Sequence, residues 1–172
     1  MKEIHDIFSK RTEKIIEKSA EKPRITIDYR EKNSLVASEL VHLGCEINFE
    51  NLDIGDYIIK NTVIERKTVS DFISSMINKR LKIQLENMQQ IEKKLLIIEG
   101  IEEQELYFPE SKINENAVRG FILSILLHYQ IPIILTKNYE DTAKFILVLA
   151  KKPDKESEQG LNPRKRSRDK NE

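Results

Sequence analysis

The chain has 172 residues, enough for one compact domain of about 150 with flanking segments. Its composition, 39% apolar and 34% charged, excludes wholesale disorder, and 29 Lys+Arg against 29 Asp+Glu single out no partner by net charge. A lone Cys45, a charge-studded opening from Met1 to Pro23 and a longest uncharged run of 17 residues (Gly120 to Thr136) lead us to expect no disulfide framework, no secretion leader and no membrane span of ~20 residues. We therefore expect a soluble intracellular protein, cytoplasmic in a prokaryote or nuclear in a eukaryote.

Ile4, Ile7, Phe8, Ile15 and Ile16 recur at helical spacing among charges, which predicts an amphipathic helix over 3–19, closed by Lys22-Pro23. Arg24 to Asp28 reads as a short β-branched strand. Asn33 is taken as the N-cap of a helix from Ser34 to Leu43, stopped by Gly44. Cys45 to Leu52 alternates as a strand with Ile47 and Phe49 inward. Tyr57 to Ile59 and Thr62 to Lys67 are short strands joined tightly at Lys60-Asn61. Val69 to Ile77 and Arg80 to Ile91 are helices, Leu95 to Ile98 a buried strand, and Glu102 to Ser111 a charged loop. A helix from Asn114 to Tyr129, a strand from Pro132 to Thr136 and a helix from Glu140 to Ala150 follow. Helices between most strands predict an α/β domain, a central mixed sheet covered by helices on both faces.

The zero charge balance is uneven. Residues 1–23 carry a net +1 and residues 151–172 a net +3, so the intervening core is net −4. Within that core Lys60 to Lys82 holds six basic residues against Glu65 and Asp71, a strip able to hold both a cation and a polyanion. The segment after Lys151 has almost no apolar residues to bury and is expected to be a disordered, basic tail. Its Pro163 to Arg168 stretch suits a loose nucleic-acid contact or an import-type patch. The helices 114–129 and 140–150 are more apolar than one-sided burial requires, which predicts that they meet a second subunit.

The chemistry concentrates between Gly55 and Lys67. Side chains alternate along a strand, so Glu65 and Lys67 share a face and Arg66 points to the other. A two-residue turn at Lys60-Asn61 places Asp56 across from Glu65, with Cβ atoms about 4.5–5.5 Å apart. Two carboxylates so close repel, and a divalent cation between them relieves the repulsion. Mg²⁺ or Mn²⁺ prefers such oxygen donors. Lys67 on the same face can then orient a water or hold a phosphate oxygen. These are the parts needed for metal-assisted phosphodiester hydrolysis.

Asp28-Tyr29-Arg30-Glu31, Gly55-Asp56, Glu65-Arg66-Lys67 followed by Asp71, and Arg80 with Gln84 resemble the signature of the XPF-type structure-specific endonucleases, in an archaeal-like minimal form. That signature runs D-x-R-E, G-D, E-R-K-x-x-x-D and an R…Q helix, and its order here covers roughly residues 24–150. The resemblance implies a restriction-endonuclease-like fold over residues 24–151, between an N-terminal helix (1–23) and a tail (152–172). It implies divalent-metal-dependent cleavage of branched DNA near duplex/single-strand junctions (3′ flaps, forks and splayed arms) in repair or fork processing, by a domain that dimerises. By the same resemblance Asp56 and Glu65 are metal ligands, with the Arg66 carbonyl as a third. Lys67 steadies the water or the charge, and Asp28 and Glu31 complete the acidic site. Arg66 is expected to be a structural pin paired with Asp71, while Arg80, Gln84 and Arg30 hold the DNA strand.

No pair among His5, His42 and His128 has metal-ligand spacing, and five scattered glycines offer no phosphate loop for ATP-driven chemistry. No counterpart of the family's tandem helix-hairpin-helix modules is read here, which leaves either a truncated chain or a minimal nuclease that borrows DNA affinity from a sliding clamp or another DNA-binding partner. The expected second subunit at the helices 114–129 and 140–150 is another copy of the chain. The alternative is a non-catalytic DNA-binding or scaffold subunit on the same fold; decay of that kind would erode Asp56, Glu65 or Lys67, and all three are present.

Overall fold

The computed structural model describes residues 22–101 and 114–153. The predicted helix at 3–19, the loop at 102–111 and the tail beyond 153 lie outside the described residues. β1 (Arg24–Asp28) runs into a 3-10 turn (Tyr29–Glu31), then α1 (Leu35–His42), β2 (Glu46–Glu50), β3 (Tyr57–Ile59) and β4 (Thr62–Thr68). α2 (Val69–Ile77), α3 (Arg80–Met88), β5 (Lys93–Glu99), α4 (Glu115–Leu127), β6 (Ile133–Thr136) and α5 (Tyr139–Lys151) complete the order. The six strands form one mixed sheet, β2-β1-β3-β4-β5-β6. The β1–β3–β4 pairings are antiparallel, and β1–β2, β4–β5 and β5–β6 are parallel.

Strand alternation sorts the core into two layers. Leu96 and Ile98 of β5 pack with Phe72, Leu81, Leu85 and Ile125 beneath α2, α3 and α4. Ile97, Ile64 and Tyr57 point the other way and pack with Leu40 of α1 and Ile146 of α5. Most boundaries shift by one or two residues from the sequence reading, and three of the differences concern the N-cap of α1 and the ends of α3 and β2. The N-cap of α1 is Ser34, whose Oγ accepts at 3.2 Å from Ala37 N, one of the first-turn N–H groups that no helix carbonyl reaches. α3 ends at Met88, and β2 ends at Glu50 because Leu52 N turns away to bond the Asp28 carboxylate.

The β3–β4 register is the expected one: Tyr57 pairs with Ile64 and Ile59 with Thr62, and Lys60 takes a left-handed φ of 55° to make the turn. Gly55 (φ 78°) swings the chain into this hairpin, and a Cβ there would strike Val63 Cγ1 and lie 3.0 Å from Ile64 O. Gly55→Ala should therefore cost roughly 2–4 kcal/mol, from strain and overpacking together. A urea midpoint equal to that of the wild type would contradict this reading of the turn.

The two over-apolar helices flank the edge strand β6, one on each face of the sheet. There Leu123 (54%), Leu127 (75%) and Val148 (63%) remain exposed, with Leu126, Leu135 and Phe145 near 40%. No helix among the described residues is long and apolar enough to cross a membrane.

Candidate active site

The hairpin register brings Asp56 and Glu65 to the same end of the sheet. Asp56 is fastened by its backbone, whose N–H donates to Ile64 O and whose carbonyl accepts from Asp28 N, both at 2.8 Å. Its Oδ2 accepts from Arg66 N at 2.8 Å. Glu65 and Lys67 are 4% and 6% exposed, and Lys67 Nζ donates to Glu65 Oε1 at 2.9 Å. Gln84, reaching up from α3, donates through Nε2 to the same oxygen at 2.6 Å.

Burial first, and then the facing Glu65 charge, push the Asp56 carboxyl up to about 7; the Arg66 N–H only partly offsets them. The Asp56 carboxyl is thus poised to lose its proton near neutrality, and a cation bound beside it would favour the charged form. The Gln84 Oε1 atom is buried without a hydrogen-bond partner. Among the described residues no ready-formed cluster of three His, Cys, Asp or Glu groups stands waiting for a metal ion. What the cleft offers is a buried carboxylate, Glu65, and a half-buried one, Asp56, beside an unpartnered amide oxygen. Such hard donors suit Mg²⁺ or Mn²⁺, which keep several waters, better than Zn²⁺.

A cleft of about 260 Å³ is lined by Arg30, Glu31, Asp56, Glu65, Arg66, Lys67, Asp71, Arg80 and Gln84. It gathers every residue singled out from the sequence except Asp28. Both Asp28 oxygens are engaged elsewhere: Arg30 N, Nε and Nη2 and Leu52 N all donate to them. The Arg30 hydrogen bonds hold the Asp28 carboxyl down at about 2. Asp28 thereby caps the 3-10 turn that delivers Arg30 and Glu31 to the cleft. Arg80 is exposed at the start of α3, while Gln84 lies against Glu65 with its Nε2 already used.

The expected Arg66–Asp71 pair is not formed. Arg66 points to the α5 side of the sheet, away from α2, where Nε donates to Glu99 Oε2 at 3.0 Å and Nη1 lies 3.5 Å from Glu31 Oε2. Tyr57 OH donates to Glu31, Thr142 Oγ1 donates to Glu99, and Thr136 bonds Thr142. Sequence reasoning missed this buried network behind the β3–β4 hairpin. Its signal was Glu99, a carboxylate closing the apolar run Leu95–Ile98.

Sheet order and a carboxylate–carboxylate–lysine cleft at the central hairpin define a restriction-endonuclease-like domain. The sequence profile of the ERCC4 domain matches residues 27–149. The chain belongs to the ERCC4-domain family. The chain is 45% identical over 130 residues to a putative ATP-dependent RNA helicase of Methanocaldococcus jannaschii, covering 75% of this chain and 15% of that protein. It is 29% identical over 133 residues to the 3′-flap repair endonuclease Xpf of Saccharolobus solfataricus, covering 75% of this chain and 55% of that one. The structure of XPF from Aeropyrum pernix in complex with DNA superposes with a TM-score of 0.69 at 30% identity, over 75% of this chain and 64% of that one. The chain thus spans about half the length of one curated relative and a seventh of the other.

Proposed function

We propose that the chain is a divalent-metal-dependent endonuclease that cuts branched DNA near duplex/single-strand junctions such as 3′ flaps, forks and splayed arms. The observation that carries the reading is the meeting of Asp56, Glu65 and Lys67 in one cleft, with Lys67 Nζ 2.9 Å from Glu65. Asp56 and Glu65, with the Arg66 carbonyl, hold the cation, which when bound stabilises charge on the phosphate and lowers the pKa of a bound water. Lys67 keeps a fixed positive charge beside the reacting phosphate, and Gln84 fixes the rotamer of Glu65. Glu31, tied to Arg66 and Tyr57, stands at the rim and reaches the site through water. Asp28 serves the site by pinning its turn rather than as a ligand. Arg80 and Arg30 supply cations for the flanking phosphates.

A panel of end-labelled flap, fork, splayed-arm and plain duplex DNAs tests the substrate class. Cutting near the junctions with little on the duplex is expected; equal cutting of the plain duplex would sink the junction preference.

We also propose a homodimer through the apolar surface of α4, β6 and α5. Light scattering should give twice 20.2 kDa for the wild type and 20.2 kDa for the double variant Leu127→Glu, Val148→Glu. A monomeric wild type would refute the assignment.

A further inference from the structure

The turn that carries Arg30 and Glu31 also presents a side chain to which neither metal binding nor phosphate contact gives a role. Tyr29 is 54% exposed, more than any other Tyr or Phe among the described residues, whereas Tyr57 and Tyr129 are buried. Its backbone is held on both sides. Asp28 accepts from Arg30 N at 2.8 Å, Lys32 N donates to Tyr29 O, and Ser34 N donates to Glu31 O. The ring therefore stands on a fixed support one residue from the cleft that holds Asp56, Glu65 and Lys67. Lys32 Nζ donates to Tyr29 Oη at 3.4 Å and lies 5.1 Å from the ring centroid. The ammonium is thus nearer the hydroxyl than the ring centre, leaving ring surface open with a cation at its rim.

A preorganised aromatic face beside a cation is what an unpaired nucleobase and its phosphate bind. Bases inside a duplex are stacked on each other and offer no free face, whereas the first unpaired base at a junction does. We propose that Tyr29 is a stacking platform for the unpaired nucleobase beside the scissile phosphate, with Lys32 on the adjoining phosphate. The proposal rests on the junction-cutting reading above and gives it a specificity residue. Tyr29 adds binding to strand ends that have left the duplex and nothing to paired DNA.

The test is a binding cycle on the full chain in EDTA, so that no strand is cut. Anisotropy of labelled 3′-flap DNA is measured with each unpaired nucleotide near the junction replaced in turn by an abasic site. Wild-type protein should lose roughly 5- to 100-fold in affinity at one position. Tyr29→Ala and Tyr29→Leu should show the same loss on intact DNA and no further loss on the abasic strand, while Tyr29→Phe stays near wild type. Losses that multiply independently at every position, or a wild type indifferent to every abasic replacement, would overturn the proposal. Cutting by the wild type in Mg²⁺ is scored separately. Coupling without cutting would remove the nuclease reading and leave the stacking site in place.

Discussion

Asp56→Asn is expected to abolish strand cleavage, by roughly 10³-fold or more, while making the cation-free protein more stable at pH 8. The first effect follows from the loss of a half-buried anionic oxygen donor opposite Glu65. The second follows from linkage. Asp56 is raised from 3.8 to about 7 by burial and by Glu65. The folded state therefore binds this proton more tightly than the unfolded chain does. The favourable contribution is complete below pH 3.8 and is lost as the pH rises through about 7, a difference on the order of 4 kcal/mol. Asparagine carries no charge to desolvate and still accepts from Arg66 N. Urea midpoints in EDTA should be similar for the two proteins near pH 4 and favour the variant at pH 8. A variant less stable than wild type at pH 8, or one that still cuts, would contradict the assignment of Asp56.

Arg66→Ala should be among the most destabilising single substitutions in the domain. The guanidinium is mostly buried and faces Glu99 and Glu31, and Glu99 is 8% exposed. Removing one partner of such a buried pair leaves a carboxylate without its cation and costs about 3–5 kcal/mol. Arg66→Lys should recover only part, because one ammonium cannot span both oxygens of Glu99 and reach Glu31 as well. Denaturant unfolding reads both variants. An alanine variant as stable as wild type would mean that the network behind the hairpin carries no structural weight. The substitution also bears on the cleft, since the Arg66 N–H holds Asp56 and its carbonyl is the proposed third ligand.

How much of this was legible in the sequence depends on the range of the interaction. The Asp56–Glu65 apposition follows from a two-residue turn and strand alternation, both local, and the observed register agrees with them. The apolar excess of α4 and α5 was likewise visible, because a helix face that finds no cover is written in its own residues. What escaped depends on long-range pairing or on a choice between equals. Arg66 finds Glu99 because β4 and β5 run parallel with Thr68 beside Glu99, a register that no local signal sets. Asn33 and Ser34 can both cap a helix, and only the path out of the turn selects Ser34. Asp28 and Glu31 look alike in the sequence, yet the 3-10 turn folds Arg30 back onto Asp28 and directs Glu31 to Tyr57 and Arg66. Nor does the sequence show that Gln84 donates to Glu65, which leaves its Oε1 as the one unpaired buried side-chain oxygen among the described residues.

The most direct measurement is cleavage of an end-labelled 3′ flap by the full chain in Mg²⁺, in Mn²⁺ and in EDTA, beside folded Lys67→Ala. Nicking near the junction that requires the cation and disappears in the variant is the expected result. Cutting that persists in EDTA, cutting by Lys67→Ala at the wild-type rate, or no cutting by a wild type that binds the flap would contradict it.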